Sequence, residues 1–291
     1  MDGVLVCDKP AGMTSHDVVA RVRRLAGQRR VGHGGTLDPP ATGVLVLALG
    51  RATRLLPFLP MEPKRYLATV AFGAETDTLD AAGSVTAIAD AAGLAEAGVR
   101  AAIAGHVGPQ QQVPPMVSAV KVAGERLYAK ARRGESVERA PRPIVIHELV
   151  LVDFAAGQRP RATIAVTCSG GTYVRSLAAD LGRDLGTLAH LASLRRTAVG
   201  SFTEPDARTL AELEELTGSG RLETAVLDPA AAMASTPVRS LTPAEAAALA
   251  NGQTLGPTGR GDPVAAIGPD GRLVAVIQDG AGRARPRVVL A

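Results

Sequence analysis

The chain has 291 residues, 46% hydrophobic but only 2% aromatic, which suits one large domain or a large one with a small companion whose core is built from Val, Leu, Ala and Ile. Its net charge of +4 is unevenly held: residues 1–200 carry 24 Lys/Arg against 17 Asp/Glu, while residues 201–291 carry 8 against 11. A basic N-terminal body suits a polyanionic partner. No apolar run reaches the roughly 18 residues of a membrane span and no signal peptide opens the chain, so a soluble cytoplasmic protein is expected.

In chain order, "GVLVCDKPAG" predicts a strand stopped by Pro10 and Gly12. "TSHDVVARVRRLAG" predicts a helix with Thr14 as N-cap, Asp17 three residues on, and Gly27 past its end. Val18, Val22 and Leu25 form its apolar stripe. A Gly-rich loop follows, then "GVLVLALG" (43–50), a buried strand by length and branching. "YLATVAFG" (66–73) is another strand, and "AETDTLDAAGSVTAI" a turn entering a further one. Residues 91–104 read as an Ala-rich helix. The stretch 109–143 is Pro-rich, basic and without clear period, its second half read as a short helix and an extended excursion. Residues 144–154 and 161–170 make a strand pair, and "TYVRSLAADLGRDLG" a helix with Leu177, Leu181 and Leu185 on one stripe. After about residue 230 the composition shifts: a short helix in "AEAAALANGQ", then three short strands parted by turns, predict a small β-rich domain over 231–291. Cys7 and Cys168 lie in strands outside any CxxC spacing and read as buried, reduced thiols.

The loop "RRVGHGGTLDPPATG" sets one acid, Asp38, among glycines, prolines and His33. A metal site needs a second cluster of ligands, and His33 with Asp38 has none nearby in sequence. A phosphate loop needs GxxxxGK[ST] or GxGxxG opening a helix, and neither is present. Asp before Pro is ordinary turn chemistry. A catalytic acid fits too, because loops held by buried strands carry function and Gly32, Gly34 and Gly35 allow close approach of a partner. The residues leave turn and catalytic acid both open. Asp80, in a second "TLD", is an internal comparison that reads as a plain Asp-Ala-Ala-Gly turn.

The loop "GHGGTLDPPATGVL" resembles the carboxylate loop of the TruB family, bacterial tRNA pseudouridine synthases that modify the T-loop uridine at nucleotide 55 of tRNA. "DKPAGMTSHDVV", "KRYLATVAFGAETDTLDAAG", "QVPPMVSAVKVAGERLYAKARRGE", "CSGGTYVRSLAADLG" and "LRRTAVGSF" match further family motifs in order, over roughly residues 3–205. One departure is Val117, where the third motif often has an aromatic residue. The resemblance implies an α/β fold with a mixed, largely antiparallel sheet and flanking helices over 1–230. The position and strands of 231–291 suggest a PUA-like RNA-binding domain.

It also implies the chemistry. The uridine N1–C1′ bond breaks, the uracil turns, and C5 is joined to C1′, with no cofactor and no metal. By resemblance Asp38 is the catalytic carboxylate and Arg175 its guanidinium partner. Tyr66 stacks on the target base and is a candidate for handling the C5 proton. Leu194 closes the pocket, His33 fills the space left by the flipped base, and Lys64 and Tyr173 contact substrate. The five arginines of 21–30 and the basic 121–142 stretch are implied RNA contacts, the latter a mobile clamp in the family. A tRNA partner engaged through its T stem-loop is expected, with no protein partner, as a monomer. Two rivals remain: an RNA-binding or RNA-folding protein that needs no catalysis, and a metal-dependent nucleotide hydrolase built on Asp38.

Overall fold

The first helix begins where its sequence supplies a cap. Thr14 Oγ1 accepts from the Asp17 N–H while the Asp17 carboxylate accepts from the Thr14 N–H, a closed capping box. The helix α1 runs Ser15–Leu25 and ends before Gly27, whose φ of 59° is the left-handed value a helix terminator adopts. Its buried side is Val18, Val19 and Val22, each worth about 1.5–3 kcal/mol on leaving water.

The computed structural model describes residues 1–118, 121–122, 125–126, 133 and 137–290. The expected short helix and excursion within 124–143 therefore lie largely outside the described residues. The chain forms two compact units, one of residues 1–61 with 199–291 and one of residues 62–198.

In the first unit, β1 (Gly3–Lys9) pairs antiparallel with β3 (Thr42–Leu49), Val6 facing Val46 in register. A short β2 (Val31–Gly34) pairs antiparallel with β3. The other side of β1 takes Arg208–Thr209 in parallel and Val226–Leu227 antiparallel. Odd-numbered residues Leu5, Cys7, Leu45 and Leu47 face α1, and even-numbered Val4, Val6, Val44 and Val46 form the opposite core. Both faces are covered, which is why β3 reads as one continuous apolar run.

The second unit holds β4 (Lys64–Phe72), α2 (Glu96–Gly105), β5 (Gly108–Gln112), β6 (Arg142–Ala155), β7 (Arg161–Cys168), α3 (Val174–Asp184) and β8 (Ala189–Val199, its last residue belonging to the first unit). Its sheet order is β8-β4-β7-β6-β5, and the pairings of β4 with β7, β7 with β6, and β6 with β5 are antiparallel. Ala74–Thr76 and Val85–Ile88 form a hairpin across the "TDTLDAAG" turn. Helix α2 starts at Glu96 rather than 91, after a turn in which the Asp90 carboxylate accepts from the Ala92 N–H.

The chain returns to the first unit with a helix over Leu210–Gly218, a second over Pro243–Ala250, and a four-stranded sheet of β9 (Val238–Ser240), β10 (Val264–Ile267), β11 (Leu273–Gly280) and β12 (Arg283–Val289). This sheet is not a free appendage. Ala265, Leu273, Val276, Val288 and Leu290 share a core with Val4, Val46, Ala52 and Leu55, and Arg54 donates to the Val289 carbonyl at 2.8 Å. Both units mix helices with sheet, the α/β class expected. Among the described residues no helix is long and apolar enough to cross a membrane.

Candidate active site

In the first unit the loop after β2 carries Asp38, and the end of β1, the turn after it and the start of α1 grip the loop on both sides of that residue. Ser15 is 1% exposed. Its Oγ accepts from the Leu37 N–H at 2.9 Å and donates to the Leu37 carbonyl at 3.2 Å. Beyond Asp38, the Pro39 carbonyl accepts from the Gly12 N–H at 2.8 Å and from Lys9 Nζ at 3.2 Å. Lys9 is wholly buried and also donates to the carbonyls of Met13 and Pro10 at 2.6 and 2.8 Å. An ammonium buried at that depth is tolerable only with such acceptors. The Asp38 carbonyl accepts from the Ala41 N–H at 3.1 Å, closing the turn. Asp38 is half-buried in a loop whose backbone is fixed on each flank.

The glycines have local reasons to be there. A Cβ on Gly34 would sit 2.6 Å from the Met61 methyl, and one on Gly32 would sit 3.1 Å from a Leu56 methyl. Gly35 has a φ of 76°, open to glycine and costly for most residues. His33 lies on β2 opposite Leu47. Its ring meets that of His16 edge-to-face, 5.1 Å between centroids and 86° between planes.

In the second unit, β4 and α3 carry the other expected residues. Arg175, in the first turn of α3, is 4% exposed rather than solvated. It donates from Nη1 to the Thr78 carbonyl at 3.0 Å and from Nη2 to the Val117 carbonyl at 2.8 Å. Its Nε lies 3.7 Å from Asp80 Oδ2.

Asp80 is indeed in a turn, its Oδ1 accepting from the Ala82 N–H at 3.0 Å and from Thr78 Oγ1 at 2.7 Å. It is also 7% exposed and ion-paired. Between Thr78 and Asp80, Leu79 adopts a φ of 61°, an outlying conformation for leucine. The twist is held by Leu191, whose N–H donates to the Leu79 carbonyl at 3.0 Å and whose carbonyl accepts from Ala81. Gly83 has no room for a Cβ, which would lie 2.3 Å from Asp77 Oδ1. The second "TLD" is thus a rigid cradle for a buried guanidinium.

Tyr66 on β4 is 8% exposed and faces Val166 in register. Arg196 on β8 is 1% exposed, and Tyr66 is its side-chain hydrogen-bond partner. Burial lowers the Arg196 pKa, and the contact with Tyr66 opposes that. Lys64, two residues before Tyr66, has its pKa lowered by burial and by the neighbouring Arg196 charge, against which Glu62 acts. Glu62 Oε1 accepts from the Gly170 N–H at 3.0 Å. Tyr173 caps α3, its peptide clamped by Gln112, whose Oε1 takes the Tyr173 N–H at 2.8 Å and whose Nε2 donates to the Tyr173 carbonyl at 3.0 Å. Leu194 is half-buried on β8.

The structure therefore brings Tyr66, Lys64 and Arg196 together, and Arg175 with Asp80. Sequence reasoning missed Asp80 as the charge partner of Arg175, and it missed Arg196. The signal for Asp80 was the repeated acid in a Thr-x-Asp turn; for Arg196 it was an arginine in an otherwise strand-like run. Among the described residues no group of three or more His, Cys, Asp or Glu side chains could hold a metal ion.

Residues 23–174 match the model of the TruB family pseudouridylate synthase N-terminal domain. Residues 175–235 match the tRNA pseudouridylate synthase B C-terminal domain, and residues 236–291 match the C-terminal domain described for tRNA pseudouridine synthase II. The chain is 48% identical over 296 aligned positions to tRNA pseudouridine synthase B of Thermobifida fusca, covering 100% of this chain and 99% of that protein. It is 53% identical over 237 positions to tRNA pseudouridine synthase B of Symbiobacterium thermophilum, covering 81% and 77%. Among solved structures it resembles Cbf5 in an archaeal box H/ACA Nop10–Cbf5 complex, with a TM-score of 0.74 at 25% identity, covering 99% of this chain and 86% of that one. With a fixed carboxylate loop in one unit, a cradled arginine in the other, and likeness along its whole length, the chain belongs to the TruB family of pseudouridylate synthases.

Proposed function

We propose that the chain is a tRNA pseudouridine synthase that isomerises the T-loop uridine at nucleotide 55. The observation that carries the proposal is the full-length likeness to tRNA pseudouridine synthase B proteins, with Asp38 standing in a loop anchored on both flanks. Asp38 is the reacting carboxylate. It either attacks C1′ or removes a C2′ proton as the N1–C1′ bond breaks; both routes use the same group. The uracil turns, C5 bonds to C1′, the C5 proton leaves and N1 gains one, so atoms balance without any imported group.

Arg175 is the cation that pairs with the Asp38 carboxylate and aims it, and Asp80 with two carbonyls fixes the guanidinium for that task. Tyr66 packs on the flipped base and helps to handle the C5 proton. His33 occupies the vacated stack, Leu194 closes the pocket, and Lys64 and Tyr173 meet the nucleotide. Base flipping costs a few kcal/mol, which stacking and phosphate contacts offset. Residues 1–230 form the catalytic domain and 231–291 a PUA-like RNA-binding domain. The protein acts as a cytoplasmic monomer on the T stem-loop. Incubation with unmodified tRNA transcript in excess EDTA, followed by mapping of pseudouridine, tests this. Product at the T-loop uridine is expected, and its absence with a folded enzyme overturns the assignment.

A further inference from the structure

The loop that presents Asp38 is held from two directions, by groups of unequal kind. After Asp38, the Pro39 carbonyl is secured by a backbone N–H and by a buried lysine. Before it, the Leu37 peptide groups are met by one hydroxyl, that of Ser15, which both accepts from the N–H and donates to the carbonyl. Ser15 opens α1 directly after its cap and is essentially without solvent contact, so this hydroxyl is carried on a rigid element. Leu37 is itself buried, at 3% exposed.

We propose that Ser15 is a positioning residue for the Asp38 carboxylate, fixing the peptide plane from which Asp38 projects. The proposal rests on the assignment of Asp38 as the reacting group. The torsions that aim the Asp38 side chain run through the Leu37–Asp38 peptide, and the Ser15 hydroxyl restrains that peptide through its carbonyl. Removing the hydroxyl leaves the Pro39 side of the loop anchored by Gly12 and Lys9. The loop then stays in place while the peptide before Asp38 regains rotational freedom. A displacement of order 1 Å at a reacting group costs about a hundredfold in rate. Binding of tRNA, spread over many phosphate and base contacts, does not depend on that angle.

The test is Ser15→Ala, compared with the parent and with Asp38→Asn, in single-turnover pseudouridine formation, tRNA binding and thermal melting. The expected result is a single-turnover rate lowered about ten- to a hundredfold at saturating tRNA, with the Kd for tRNA within about twofold of the parent. Should Ser15→Ala fail to fold, Ser15→Cys, whose thiol is only a weak donor and acceptor, is read for the same split. A parental rate in a folded variant overturns the proposal. So does a rate loss that vanishes once corrected to the folded fraction, since that marks a purely stabilising role. If Asp38→Asn is inactive while Ser15→Ala keeps the parental rate, only the Ser15 proposal falls. If Asp38→Asn is active, the assignment of Asp38 falls and takes this proposal with it.

Discussion

Replacing Asp80 by Asn isolates one charge. The amide keeps an oxygen able to accept from Thr78 Oγ1 and the Ala82 N–H, so the turn survives. What is lost is the negative charge 3.7 Å from Arg175 Nε, in a pair whose side chains are 4% and 10% exposed. With an effective dielectric of ~20, the Coulomb attraction at that separation is roughly 4–5 kcal/mol. Relief of the cost of burying the carboxylate offsets part of this. The guanidinium also keeps the Thr78 and Val117 carbonyls. A net destabilisation of about 1–3 kcal/mol follows, read as a Tm lower by several degrees. The catalytic effect is larger in kind. Arg175 loses one of the groups that hold its guanidinium, the charged one beside the two carbonyls, which loosens its proposed grip on Asp38. The single-turnover rate should fall about ten- to a hundredfold, with tRNA affinity unchanged, measured by rapid quench and filter binding. An Asp80→Asn protein with parental Tm and parental rate would refute the view that this pair is structurally and catalytically coupled.

Lys64→Met should raise stability and weaken tRNA binding together. The folded-state pKa of Lys64 is lowered, so the folded protein binds this proton less readily than the unfolded chain. Stability from this group therefore rises with pH from the lowered value up to the ordinary 10.5, and the parent carries a penalty at neutral pH that Met removes; a lower Tm in Lys64→Met contradicts this. Asp17, Glu212, Glu245 and Asp279 have lowered pKa values from backbone and side-chain hydrogen bonds at caps and turns. Their contribution is present above the ordinary 3.8 to 4.5 and is lost as pH falls through the lowered folded values. Acid melts should thus show Tm dropping below about pH 4.5, with a smaller drop in Glu245→Gln. The thiols of Cys7 and Cys168 are pushed up to about 12 and about 11 by burial. Alkylation at pH 8 should be negligible in the native protein and fast in denaturant.

Much of the first unit was legible because its signals are local. The Thr14–Asp17 box, the terminating Gly27 and the continuous apolar run of β3 each specify an element on their own. Strand β5 was not legible: "GPQQQ" has no apolar alternation and is a strand because it lines the edge of β6. Strand β8 was hidden by "LRR", in which the second arginine is buried against Tyr66, a tertiary environment that no local pattern announces. Asp80 shows the same limit most clearly. Its turn chemistry was readable, and the turn is there. Its pairing with an arginine 95 positions along the chain depends on a fold-level meeting of the Thr76–Gly83 turn with α3. Gly32 and Gly34 looked like room for a partner, whereas leucine and methionine methyls of the same unit come within reach of their backbones.

The account stands or falls on Asp38. The most direct measurement is Asp38→Asn, which matches the carboxylate in shape, assayed with unmodified tRNA for both binding and pseudouridine at the T-loop uridine. The account predicts parental affinity, parental melting and no detectable pseudouridine. Turnover by the asparagine protein at anything near the parental rate would contradict it.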